Sequence, residues 1–143
     1  MDYRVLAADE LRILRYNYTA QKTIKLKIFE LETLLKSVGS GCGGSPPSGS
    51  GGNKTEHKWL SLISSIDDEK RRLDTVDREI ERIELALSAL SEEEAKILKM
   101  AYIENRSMDN ISEQEHISRA TAYRMRDTAL ENFSRALYGA VVK

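Results

Sequence analysis

The chain reads as an all-α protein: a long antiparallel two-helix coiled-coil hairpin followed by a three-helix module with a tight turn before its last helix. Three observations predict it. Apolar residues recur every seven positions from Trp59 to Leu90, the signature of a coiled-coil seam. All but one of the 8 glycines and both prolines fall in a single stretch, leaving the rest free to form long helices. From Leu90 to Leu137 the pattern runs helix, turn, short helix, tight turn, helix.

The first segment, residues 1–38, is periodic from about Ala7. Asp9 and Glu10 put negative charge in its opening turn, and Gly39 is expected to end it with Lys36 in the last turn. Ile24, Ile28, Leu31, Leu35 and Val38 step by four and three, a coiled-coil spacing. Leu14 keeps that register further back, while Asn17 and Gln21 place amides at seam positions, where polar groups weaken packing but fix register.

Residues 39–55 form a flexible Gly/Ser/Pro linker by composition. No Gly-Lys-Ser/Thr follows at phosphate-loop spacing. A random coil of this length spans on the order of 20 Å, enough to reverse the chain. Its Cys42 is the one cysteine, so no internal disulfide can form, and it reads as exposed and incidental.

Residues 56–90 carry the most regular pattern. Trp59, Ile66, Leu73, Ile80 and Leu87 repeat every seven; Leu62, Val76, Ile83 and Leu90 form a parallel series that only Glu69 interrupts. A seam this long seldom belongs to an isolated helix pair. Trp59, Ile66, Leu73, Val76, Ile80, Ile83 and Leu87 are therefore the expected contacts of a homo-oligomer, dimer or higher.

Residues 91–143 begin at an N-cap, Ser91 before Glu92–Glu94, which supplies an oxygen for orphan amides and carboxylates for the helix dipole. One helix is expected over Glu92–Glu104, with Ala95, Ile97, Leu98, Ala101 and Tyr102 on one face. Asn105–Ser107 breaks it, Met108 and Ile111 mark a short second helix, and Ile117-Ser118 reads as a turn ending in another cap. Ala122, Met125, Ala129, Leu130, Phe133 and Leu137 then run down a third helix. This is the layout of a helix-turn-helix, whose last helix enters the DNA major groove. Ser118, Arg119, Thr121, Tyr123, Arg124, Arg126 and Asp127 are its candidate DNA-binding residues. Arginine suits the task because its planar fork bridges two acceptors on guanine or grips a phosphate.

These residues also carry a resemblance. Leu90-Ser-Glu-Glu-Glu-Ala-Lys-Ile-Leu-Lys-Met-Ala-Tyr-Ile103, then Ser107-Met108 and Ile111, then Ile117-Ser118-Arg119-Ala-Thr-Ala-Tyr-Arg-Met-Arg-Asp-Thr-Ala-Leu130 resemble the C-terminal module of phage late-gene transcription regulators of the RinA/ArpU type. That module is similar to the promoter-binding region 4 of sigma factors. The likeness covers about the last third of the chain and implies DNA binding, with host RNA polymerase as a further partner. Glu115 and His116 depart from its pattern, standing where an apolar residue and a turn glycine are usual. Histidine tolerates a left-handed backbone better than most residues, but Glu115 in a buried slot is costly unless it turns outward.

Charge and composition bound the remaining classes. With 41% hydrophobic, 31% charged and 6% aromatic residues the chain is an ordinary globular type. No apolar run reaches the ~18 residues of a membrane span and no basic-then-apolar leader opens the chain, so a cytoplasmic place in a bacterial host cell is expected. Net charge −1 argues against a coat for nonspecific nucleic-acid binding. Yet the sign flips along the last third: residues 91–117 carry −4, and residues 118–143 carry +3. That is a focused basic patch beside an acidic flank. Catalytic, metal and cofactor roles find no residues to carry them. There are 2 histidines, His57 and His116, far apart in sequence, and Asp67-Asp68 point to different helix faces. The leading expectation is a sequence-specific double-stranded-DNA-binding transcription regulator. The alternatives are a small-terminase-like DNA recogniser of phage packaging and a coiled-coil assembly scaffold.

Overall fold

The computed structural model describes residues 2–40 and 52–140. All regular structure among the described residues is helical, so the protein is all-α. In order come α1 (Tyr3–Ser40), α2 (Gly52–Ser88), α3 (Glu92–Leu98), a π-turn over Lys99–Ile103, α4 (Met108–Glu115) and α5 (Arg119–Tyr138). With 38 and 37 residues, α1 and α2 are each about 55 Å long. Both long helices reach further into the Gly/Ser/Pro stretch than its composition suggests, taking residues 39, 40 and 52–55. Positions 41–51, Cys42 among them, lie outside the described residues.

The chain divides into two compact units, Thr19–Asp77 and Met1–Tyr18 with Arg78–Lys143. In the first, stretches of α1 and α2 supply everything. Ile24, Ile28 and Leu31 of α1 and Ile66 of α2 are buried. Leu35, Val38, Trp59, Leu62, Leu73 and Val76 are half-buried, as heptad spacing dictates for one shared seam. The polar seam positions find partners. Gln21 Nε2 donates to Asp77 Oδ1 at 2.7 Å. Glu69, its side chain 17% exposed, pairs with Arg72 at 3.4 Å. Gln21 lies near the start of this unit and Asp77 at its end, so the contact ties together its two ends.

The second unit joins the opening of α1, the end of α2 and everything after Ser91. Its core is Leu11, Leu14, Ile83, Ile97, Leu98, Ile111, Ala122, Ala129 and Phe133, all at most 2% exposed. Ser91 is thus a helix cap and not a packing boundary. The helices after it, short and few, leave apolar flanks that Ala7, Leu11, Leu14 and Ile83 close. Tyr3 and Tyr138 meet as a tilted ring pair, with centroids 5.3 Å apart and planes at 46°. Arg82 on α2 donates to Glu10 on α1 at 2.9 Å. Tyr18 donates to Glu84 at 2.5 Å, and burial together with that carboxylate pushes its phenol up to about 12.

Candidate nucleic-acid interface

The approach to the candidate site begins at Ser91. Its hydroxyl accepts from the Glu94 amide at 3.2 Å while Glu94 reaches back to the Ser91 amide, a reciprocal capping box. Glu94 also accepts from Asn132 Nδ2 at 2.6 Å, tying the start of α3 to α5. That bond first, and those from Ser91, lower the Glu94 pKa against the opposing pull of partial burial.

The single helix expected over Glu92–Glu104 is interrupted. Beyond Leu98 the backbone opens into a π-turn, in which the Glu104 amide donates to the Lys99 carbonyl at 2.8 Å. Asn105 then takes a left-handed conformation, φ 56°, and the Arg106 amide reaches back to Met100 at 2.9 Å. A π-turn winds less per residue, so the face beyond it leaves the 3.6-residue spacing. Met100 is buried, and Ala101 and Tyr102 are only half-buried.

α4 opens on a Ser107 cap and closes at His116, whose φ of 57° and ψ of 43° are left-handed. The Ile117 amide returns to the Ser112 carbonyl at 3.1 Å, satisfying one of the carbonyls that a helix end strands. Three residues, His116-Ile117-Ser118, therefore separate α4 from α5. Glu115 does not turn fully outward. Its Oε1 is sealed from solvent with Lys96 Nζ at 2.9 Å, outside hydrogen-bond geometry, so opposite charge alone balances it.

Ser118 caps α5. Its hydroxyl accepts from the Thr121 amide at 3.1 Å and donates to Thr121 Oγ1 at 2.7 Å. That hydroxyl is spent on the cap, whereas the Thr121 hydroxyl keeps a proton to give. Ala122 and Ala129 are fully buried and Met125 half-buried, against α3 and α4. At 100° per residue Ala120, Arg124 and Asp127 form the centre of the outward face, and all are exposed. One flank holds Arg119, Tyr123 and Arg126, with the two guanidiniums 5.9 and 4.9 Å from the Tyr123 ring centroid. On the other, a shallow groove of about 410 Å³ is lined by Glu93, Glu94, Thr121, Arg124, Met125 and Thr128.

The arginines of this face are not equivalent. Arg119 Nε lies 3.0 Å from Asp109 Oδ1, and Tyr123 with Asp109 raises the guanidinium pKa further. Arg126 pairs with Asp127 at 3.1 Å. Arg124 has no ion pair or hydrogen bond among the described residues. Asp109 is the residue that sequence reasoning missed. It sits in the first turn of α4, and no periodic pattern links it to Arg119 across the turn.

The residues expected at an oligomer interface are largely used within the chain. Ile66, Ile80, Ile83 and Leu87 are buried by the chain itself, and Trp59, Leu73 and Val76 are half-buried. The apolar side chains left outside in Thr19–Asp77 are Leu26, Phe29, Leu34 and Leu60, 51–69% exposed. Among the described residues no helix is long and apolar enough to cross a membrane.

Fold and face together define a helical protein with a capped, arginine-bearing helix set behind a three-residue turn. Residues 7–135 match the family described as Protein of unknown function (DUF722), and the chain belongs to that family. Comparison with curated proteins and with solved structures returned no match.

Proposed function

We propose that the protein is a sequence-specific double-stranded-DNA-binding transcription regulator, a phage or prophage late-gene activator acting in the bacterial cytoplasm, with α5 as its reading helix. The observation that carries the reading is the exposed first two turns of α5. They sit behind the left-handed His116 and the Ser118 cap, with Arg124 unpaired at the centre of the outward face. Such a helix fits a major groove about 12 Å wide. Arg124 reads a base edge, Thr121 assists with its free proton, and Arg119 and Arg126 grip phosphates on one flank. The acidic turn Glu92–Glu94 suits a basic partner such as a subunit of host RNA polymerase. A second copy of the chain covers Leu26 and Phe29, since a two-helix unit with so much apolar surface outside its seam gains by pairing.

The test is selection of a preferred duplex from random sequence, followed by titration over a range of salt. Arg124→Ala is expected to cost about 1–3 kcal/mol on the selected site and to relax preference at one position. The Arg119→Ala/Arg124→Ala variant, with helicity intact, is expected to lose selective binding. Binding as tight as the parent's across that salt range removes α5 as the reader.

A further inference from the structure

Two of the three arginines on the first turns of α5 are occupied before any ligand arrives. Arg119 reaches across the turn to Asp109, and Arg126 donates through Nε at 3.3 Å and Nη2 at 3.1 Å to Asp127. Tyr123 lies beside both guanidiniums and holds them on one flank. Asp109 takes the Nε side of Arg119, and Asp127 takes Nε and Nη2 of Arg126, donors that a phosphate would otherwise use. The Arg119–Asp109 side chains are 65% and 64% exposed, and exposed pairs of this kind add little to folding. What they do change is the charge offered to a passing duplex, because an arginine already facing a carboxylate attracts phosphate weakly.

We propose that Asp109 and Asp127 are phosphate stand-ins that lower the affinity of the free chain for arbitrary DNA, leaving discrimination to the unpaired Arg124. This inference rests on the DNA-binding reading above. Phosphate contacts are the same on every sequence, so muting them suppresses nonspecific binding with no loss at base edges. Asp127 adds to this directly, since it lies on the outward face beside Arg124 and repels a backbone that is out of register. The overall charge of −1 acts in the same direction.

The experiment compares the parent with Asp109→Asn, Asp127→Asn and the double variant, each checked for helicity. Random-sequence duplex and the selected site are both titrated over salt. The double variant is expected to bind random duplex about tenfold or more tightly at moderate salt. Its salt dependence should steepen by roughly one to two units, up to ~0.9 for each phosphate newly neutralised. Affinity for the selected site is expected to rise by a similar factor, since phosphate contacts are common to both, so the ratio between the two holds. Asp109→Glu keeps the charge and is expected to behave as the parent. A double variant that is folded but keeps the parent's affinity for random duplex and the parent's salt slope overturns the proposal and leaves the DNA reading standing. A parent chain that binds no duplex at any salt overturns both.

Discussion

Ala122 shows what a single side chain decides here. It is fully buried where α5 meets α3 and α4, so Ala122→Glu forces a carboxylate into a site with no room and no partner. A loss of about 3 kcal/mol or more in unfolding free energy is expected, read by urea denaturation. Glu94 predicts a pH dependence. Its pKa is lowered in the folded chain from 4.5, so its contribution is present above that value and drains away as pH falls through the lower, folded-state pKa. Asn132→Ala removes the largest cause, and the acid limb of its stability curve is expected to be flatter than the parent's. Ala122 was legible because helical spacing alone turns it inward. The Lys96–Glu115 and Arg119–Asp109 pairs were not. Each joins two helices, and which residues meet depends on how those helices cross.

Among the elements, caps were the clearest in sequence. Ser91 and Ser118 accept from amides three residues on, a local geometry that needs no knowledge of the rest of the chain. The left-handed turn at His116 was foreseen as tolerable for the same local reason. The π-turn over Lys99–Ile103 was not, because widening one turn leaves no mark in an apolar pattern built on 3.6 residues. The heptads of α2 located the seam but not its partner. A repeat every seven residues is satisfied equally by the chain's own α1 or by another molecule. The chain itself already buries Ile66, Ile80, Ile83 and Leu87 of that series. Ile80→Asp is expected to destabilise the chain itself, since Ile80 is only 7% exposed. Leu26→Ser with Phe29→Ser is expected to lower the mass measured by light scattering while helicity holds. An unchanged mass would show that this face serves no second copy.

For the whole molecule, the decisive feature is that the core around α5 draws on the opening of α1 and the end of α2. Residues 91–143 looked self-contained in sequence because cap, turn and apolar stripe are all present there. What could not be read is that Leu11, Leu14 and Ile83 close the other side, since nothing in a heptad says which face also serves a neighbour. A fragment of residues 91–143 alone is therefore expected to be much less helical than its share of the full chain. Far-ultraviolet circular dichroism and a thermal melt check this; a cooperative melt at the parent's midpoint would contradict it.

The contact of Tyr3 with Tyr138 has a consequence for the chain during its own synthesis. Translation releases the amino terminus first, at roughly 5–20 residues per second, so the opening turns of α1 leave the ribosome long before the surface they pack on exists. The core that Leu11 and Leu14 share with Ala129 and Phe133 is incomplete until α5 has emerged. Nascent chains stalled before Phe133 are expected to be cut readily by protease within their first turns, whereas the released chain resists.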